Sequence, residues 1–267
     1  MNKFYPTIEQ SFGILGILLL MSLLSGFIAL LFNGLQMFFP NAVYLTSLGY
    51  MVAYALSFGL TIRYAKRKIT NEYNQPFSWD FNNIPWVIYV VAIAIGLTNS
   101  AITEPITSLI PMPAWAKELF ESMLTNDAFA FITVVILAPV LEEVLFRGII
   151  LKGFLKNYNP TKAIIVSALL FGLFHLNPWQ AIGASFVGII LGWVYYKTKS
   201  IVPCIIIHFV NNLLAFILFN LTNDADGTIM EMFSSTSLYL VFYFAIIAIT
   251  TIGLLIIAKK QETINPD

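Results

Sequence analysis

Apolar residues run through this chain in long blocks separated by short polar stretches. The blocks are Ser11 to Phe32, Ala42 to Ile62, Ile84 to Thr103, Phe129 to Leu151, Ala163 to Leu176, Ala181 to Tyr196, Ile201 to Phe219 and Leu238 to Ala258. Most approach the roughly 20 residues that a helix needs to cross the hydrocarbon core of a bilayer. In lipid each backbone N–H and C=O must be satisfied within its own segment, so such blocks predict helices. The expected fold class is therefore all-α: a polytopic membrane bundle of about eight transmembrane helices, forming one domain over residues 1–267. Ala163 to Leu176 is short and needs its flanking turns buried in protein. The first block is longer than a signal-peptide core and lacks a convincing small-residue cleavage site behind it, so it reads as a retained helix.

The polar stretches alternate in charge. Arg63-Tyr64-Ala65-Lys66-Arg67-Lys68 follows the second block, Lys152, Lys156 and Lys162 surround the connection after the fourth, Lys197 and Lys199 follow the sixth, and Lys259-Lys260 end the eighth. The intervening loops are neutral or acidic, with Glu104, Glu118, Glu121 and Asp127 in one and Asp224, Asp226 and Glu231 in another. Only Lys117 breaks the pattern. Cytoplasmic loops carry the excess of Lys and Arg, so both termini are expected in the cytoplasm. Pro113 could open a short helix in the loop from Glu104 to Asp127, with Trp115, Leu119 and Met123 on one face, lying at the interface rather than crossing. No internal repeat and no linker long enough to separate domains is visible.

Composition narrows the function classes. Of the 267 residues 58% are hydrophobic and only 10% charged, against about 25% charged in soluble chains; the mean hydropathy is +0.81. The formal net charge is zero and no basic run carries interleaved aromatics, so nucleic acid is not an expected partner. The lipid bilayer is. The single cysteine, Cys204, excludes a disulfide framework and a cysteine metal cluster and reads as a small buried hydrophobe. Compact size and short loops point to a bacterial cytoplasmic membrane.

The fourth block carries Glu142, Glu143 and Arg147 at membrane depth. Each such group costs about 2.5–3.5 kcal/mol at a helix centre, so charges placed there mark a buried functional site by default. Adjacent residues on a helix diverge by about 100°, whereas Glu143 and Arg147, four apart, can pair. That leaves Glu142 to point elsewhere, into a cavity, and a carboxylate shielded from bulk water is a usable base near neutral pH. A purely packing ion pair with Glu142 as bystander is the structural alternative.

Both histidines, His175 and His208, fall in apolar blocks. At about 1.5 Å per residue, His175 lies roughly 20 Å from Lys162, His208 roughly 13 Å from Lys199 and Glu142 roughly 15 Å from Lys152. These similar depths allow three helices to bring a carboxylate and two imidazoles to one point. Phe171 precedes His175 by one turn, and Asn212 follows His208 by one turn. Asn211 is an equally polar competitor, and for any one of these residues hydrogen-bonded glue between helices is the alternative.

Glu142-Glu143-x-x-x-Arg147, Phe171-x-x-x-His175 and His208-x-x-x-Asn212, in that order on successive blocks, resemble the three motifs of the type II CAAX prenyl endopeptidase family, which includes bacterial proteins linked to bacteriocin processing and self-immunity. The resemblance covers about Pro139 to Asn212 and is complete at every motif position. It implies an intramembrane metalloendopeptidase with its catalytic core at about residues 129–219 and a membrane-associated peptide or protein as substrate, either CAAX-like or a leader or signalling peptide. Carried over, Glu142 activates the water, His175 and His208 hold that water or a metal, Asn212 steadies the oxyanion, and Glu143 with Arg147 supports the site. The implied metal ligands are Glu142, His175 and His208, and the implied cofactor is a divalent metal, with zinc the candidate, although the spacing is not His-Glu-x-x-His.

Other protease classes fail by absence: there is no Gly-x-Asp pair, and Gly183-Ala184-Ser185-Phe186-Val187 lacks the closing glycine of a serine motif. Two functions compete with the peptidase. One is a member of the same family that binds and regulates a membrane partner without cutting it. The other is an ion-coupled transporter, since buried Glu, His and Arg also mark ion paths; against it stand the missing repeats and a single helix interruption, Ala138-Pro139.

Overall fold

The computed structural model describes residues 3–42, 44–110, 112–123, 125–222 and 229–264. Among them there is no strand. The helices are α1 (Ile8–Phe38), α2 (Tyr44–Arg67), α3 (Trp86–Thr107), α4 (Ala114–Met123), α5 (Ala128–Asn157), α6 (Pro160–Phe174), α7 (Pro178–Thr198), α8 (Val202–Thr222) and α9 (Thr236–Ile264). Seven are long and apolar enough to cross a membrane, and α6 is a shorter apolar helix. The expectation of about eight spans thus holds closely, and the short block is the one that falls below spanning length. Residues 223–228, with Asp224 and Asp226, and the side chains of Leu119, Met123 and Glu231 lie outside the described residues.

The chain divides into two compact units. The first comprises Met1–Trp79 and Ser122–Asn159, the second Asp80–Glu121 and Pro160–Asp267. In the first, α1 and α2 pack side by side and α2 packs on α5. A Cβ at Gly49 would come within 2.6 Å of Phe32 Cβ and 3.2 Å of Ala29 Cα, so the bare glycine is what lets α1 and α2 approach. Thr7 opens α1 with a capping box: its hydroxyl accepts from Gln10 N–H, and the Gln10 side chain accepts from Thr7 N–H, which satisfies two orphan donors at once. Phe27, Leu23 and Leu30 stay more than 60% exposed. On a helix in lipid such a surface carries no penalty, because the tails are as apolar as the side chains.

In the second unit α6 packs on α7, and α3 packs on α8 and α9. Small residues again set the contacts: a Cβ at Gly188 would meet Ala168 Cα at 3.0 Å, and one at Gly96 would meet Ile207 O at 2.9 Å. Thr98 and Thr250 hydroxyls bond at 2.6 Å between α3 and α9. Cys204 is buried, its thiol donating to Leu191 O at 3.3 Å. α3 runs one turn past its expected end, through Pro105. Glu104, expected in a loop, is therefore helical, and its carboxylate accepts from Tyr239 OH at 3.0 Å.

Candidate active site

The carboxylates ride on α5, which is not a regular helix. Asp127 caps it, accepting from Phe129 N–H at 2.9 Å and Ala130 N–H at 3.0 Å, and Ser47 of α2 donates to the same carboxylate at 2.7 Å. Two wide π-turns, Ile132–Leu137 and Phe146–Leu151, bracket one regular stretch, Ala138–Leu145. Pro139 accounts for the first break: it has no N–H to offer the preceding turn. The backbone widens there, and Ala138 N–H donates to Thr133 O, five residues back. Glu142 and Glu143 sit in the regular stretch between the two, and π-turns inside helices frequently lie at functional sites.

Glu142, Glu143 and Arg147 are 6%, 0% and 1% exposed. Arg147 Nη1 donates to Glu143 Oε1 at 2.7 Å, the pairing that the four-residue spacing predicts. Breaking such a buried pair costs about 3–5 kcal/mol, because the survivor is left as a desolvated charge. Glu142 diverges from that pair, and where a cavity was expected it meets α2: Tyr54 OH donates to its Oε1 at 2.5 Å. The Tyr54 ring is itself held by stacking on Phe58 at 4.8 Å. That hydrogen bond fixes the rotamer of Glu142 against α2. Tyr54 is the residue that the sequence reading missed. Nothing along the chain signals which tyrosine of one helix will face a glutamate of another.

In the second unit both imidazoles pack against one ring. Phe171 meets His175 at 5.2 Å and His208 at 5.9 Å between centroids, each edge to face. His175 differs from its expected place. α6 stops at Phe174, and His175 lies in the turn beyond it, its N–H donating to Gly172 O at 3.0 Å. The cause is local: Leu176 takes a left-handed φ of 57°, and Asn177 then caps α7 through Gln180 N–H, with Pro178 in its first turn. His175 is half-buried, whereas His208, inside α8, is 6% exposed.

His175 Nδ1 lies 2.9 Å from Phe171 O. A carbonyl only accepts, so Nδ1 donates, and in the neutral ring this leaves the Nε2 lone pair as the one that can meet a metal or a water proton. The two asparagines divide their work. Asn211 Oδ1 accepts from Ser100 Oγ at 2.7 Å and Asn99 Nδ2 at 3.4 Å, which ties α8 to α3. Asn212, the motif residue, stands one turn from His208. Among the described residues no three His, Cys, Asp or Glu side chains form a group that could hold a metal ion. Among those residues, His175 and His208 are thus not grouped with a third donor that would complete a metal site.

Residues 124–214 match the family described as type II CAAX prenyl endopeptidase Rce1-like. All six candidate residues, from Glu142 to Asn212, lie within this Rce1-like segment, which covers about a third of the chain. Tyr54 lies outside it. No curated protein and no solved structure matches the chain.

Proposed function

We propose that this chain is an intramembrane endopeptidase that hydrolyses a membrane-associated peptide or protein. The observation that carries the reading is the burial of Glu142 beside the Glu143–Arg147 pair inside the Rce1-like segment. Glu142 takes a proton from water as the oxygen attacks the scissile carbonyl, and later returns it to the departing amine. The Asn212 amide donates to the oxyanion, a role worth about 10²–10³ in rate in other enzymes. His175 and His208 orient the water. Glu143 with Arg147 holds the carboxylate stretch of α5 in place. The divalent metal that the resemblance implies, zinc on His175, His208 and Glu142, finds no grouping of three such side chains among the described residues, and no step above depends on it.

Both termini and the Arg63–Lys68 cluster face the cytoplasm of a bacterium in this reading, on the asymmetry of loop charge. The substrate carries either a CAAX-like end or a leader or signalling sequence. The test is incubation of the purified chain in nanodiscs with a panel of both peptide classes, beside Glu142→Gln. Cleavage by the wild type that falls by about 10²–10⁴ in the variant supports the peptidase. Tight binding of a peptide without cleavage would favour a regulator of the same family, and proton uptake coupled to solute would favour a transporter.

A further inference from the structure

At one end of the first unit three segments meet: the residues before α1, the turns that close α2, and the last turns of α5. Phe4 N–H donates to Asn157 Oδ1 at 2.9 Å, Tyr5 N–H to Gln75 Oε1 at 3.1 Å, and Lys152 Nζ to Ser78 Oγ at 2.7 Å. All three are ends of helices long enough to span a bilayer, so this end lies at headgroup level. This end carries Arg63, Lys66, Arg67, Lys68, Lys152 and Lys156, with Glu9 and Glu72 as its carboxylates. Lys68 engages Glu72 at 2.9 Å.

The excess positive charge is organised around rings. Lys66 Nζ lies 5.4 Å from the Phe77 centroid and 5.1 Å from that of Trp79, and Lys152 Nζ lies 6.0 Å from Phe77. The two rings themselves pack edge to face at 4.6 Å. Cation–π contact orients an ammonium group without neutralising it. Two like charges are thus held around one ring, with Ser78 bonded to one of them through its hydroxyl and its carbonyl, and a single phosphate can reach both.

The surroundings say which phosphate. Aromatic side chains at a span's end sit among headgroups. Along α2, Leu56, Leu60, Arg63 and Arg67 follow helical spacing; both leucines are large exposed apolar side chains, and both arginines are exposed. An acyl chain can lie along the leucines while its headgroup meets the cations. We propose that this cationic–aromatic cluster binds an anionic phospholipid, its phosphate held chiefly by Lys66 and Lys152.

The experiment titrates the full chain, in neutral detergent, with short-chain phosphatidylglycerol, phosphatidylcholine or inorganic phosphate, and reads the unfolding midpoint. Phosphatidylglycerol should raise the midpoint, and the other two should not. At about 1 kcal/mol per cation near an anionic surface, Lys66→Gln/Lys152→Gln should raise the half-effect concentration about 30-fold. Lys66→Arg/Lys152→Arg should leave it nearly unchanged. Because Lys152 also holds Ser78, the exposed Lys66→Gln change alone serves if the double variant does not fold, with about a 5-fold shift expected. An equal response to phosphatidylcholine, an equal response to inorganic phosphate, or a half-effect concentration unmoved by Lys66→Gln would each overturn the proposal.

Discussion

On α5, Glu143 is held by the Arg147 guanidinium and Glu142 by the Tyr54 hydroxyl, so each polar group depends on another polar side chain. In the second unit His175 and His208 rest on a phenyl ring, and His175 is oriented by a backbone carbonyl that no substitution can delete. The difference is one of risk. A buried charge whose partner is removed becomes a liability to the whole fold, whereas an imidazole replaced by alanine leaves behind a small gap and a ring. Damage to the first region should therefore appear in folding as well as chemistry, and damage to the second in chemistry first.

The largest effect expected concerns the histidines. His175→Ala and His208→Ala should each lower cleavage by about 10²–10⁴, and the double variant should be little worse than either, since residues acting as a unit are not additive. Folded yield should survive in all three. Cleavage rates and metal content of the purified variants check this, and independent, multiplying losses would count against a shared role.

Next comes Arg147→Ala, expected to cost about 3–5 kcal/mol by leaving Glu143 without its partner. Thermal unfolding in detergent measures it. The comparison sharpens with Glu143→Leu/Arg147→Leu, which should recover most of the stability while cleavage stays low. Full activity in that double variant would reduce the pair to packing.

Tyr54→Phe should be milder. It keeps the ring on Phe58 and removes one hydrogen bond to a charged group, worth about 1.5–3 kcal/mol. The expected loss is about 10–100-fold in kcat with KM nearly unchanged. A wild-type kcat would mean that Glu142 needs no help from α2.

The smallest effect belongs to the cap. Burial pushes the Asp127 carboxyl upward, but hydrogen bonds from Ser47, Thr125 and the backbone of Ala130 and Phe129 outweigh it and hold the group below the usual carboxylate range. A group with a depressed folded value contributes stability above its unfolded value, about 3.9, and loses that contribution as pH falls through the folded one. Asp127→Ala should cost about 1 kcal/mol at neutral pH and nothing once the wild-type carboxyl is protonated. A difference that persists undiminished in acid would separate the cap from its charge.

Much of this was legible in the residues. Apolar block length announces a membrane helix because the bilayer imposes one length on all of them, and four-residue spacing announces Glu143–Arg147 because the pair is local. The end of α6 was legible too, in Asn177-Pro178, yet counting apolar residues carried the helix two positions too far and placed His175 inside it. Tyr54 was not legible: its meeting with Glu142 joins residues 88 apart, and apolar periodicity says which helices form but not which rotations face each other. Nor were the π-turns, since the pairing of Glu143 with Arg147 reads the same in a regular helix.

Those two wide turns bear on how α5 tolerates insertion and deletion. A π-turn closes over one residue more than an α-turn, so losing a single residue from Ile132–Leu137 can be absorbed by tightening that turn. In a regular helix the same deletion would swing everything beyond it by about 100°. Glu142 and Glu143, with such a turn on either side, can keep their heading when either turn loses a residue.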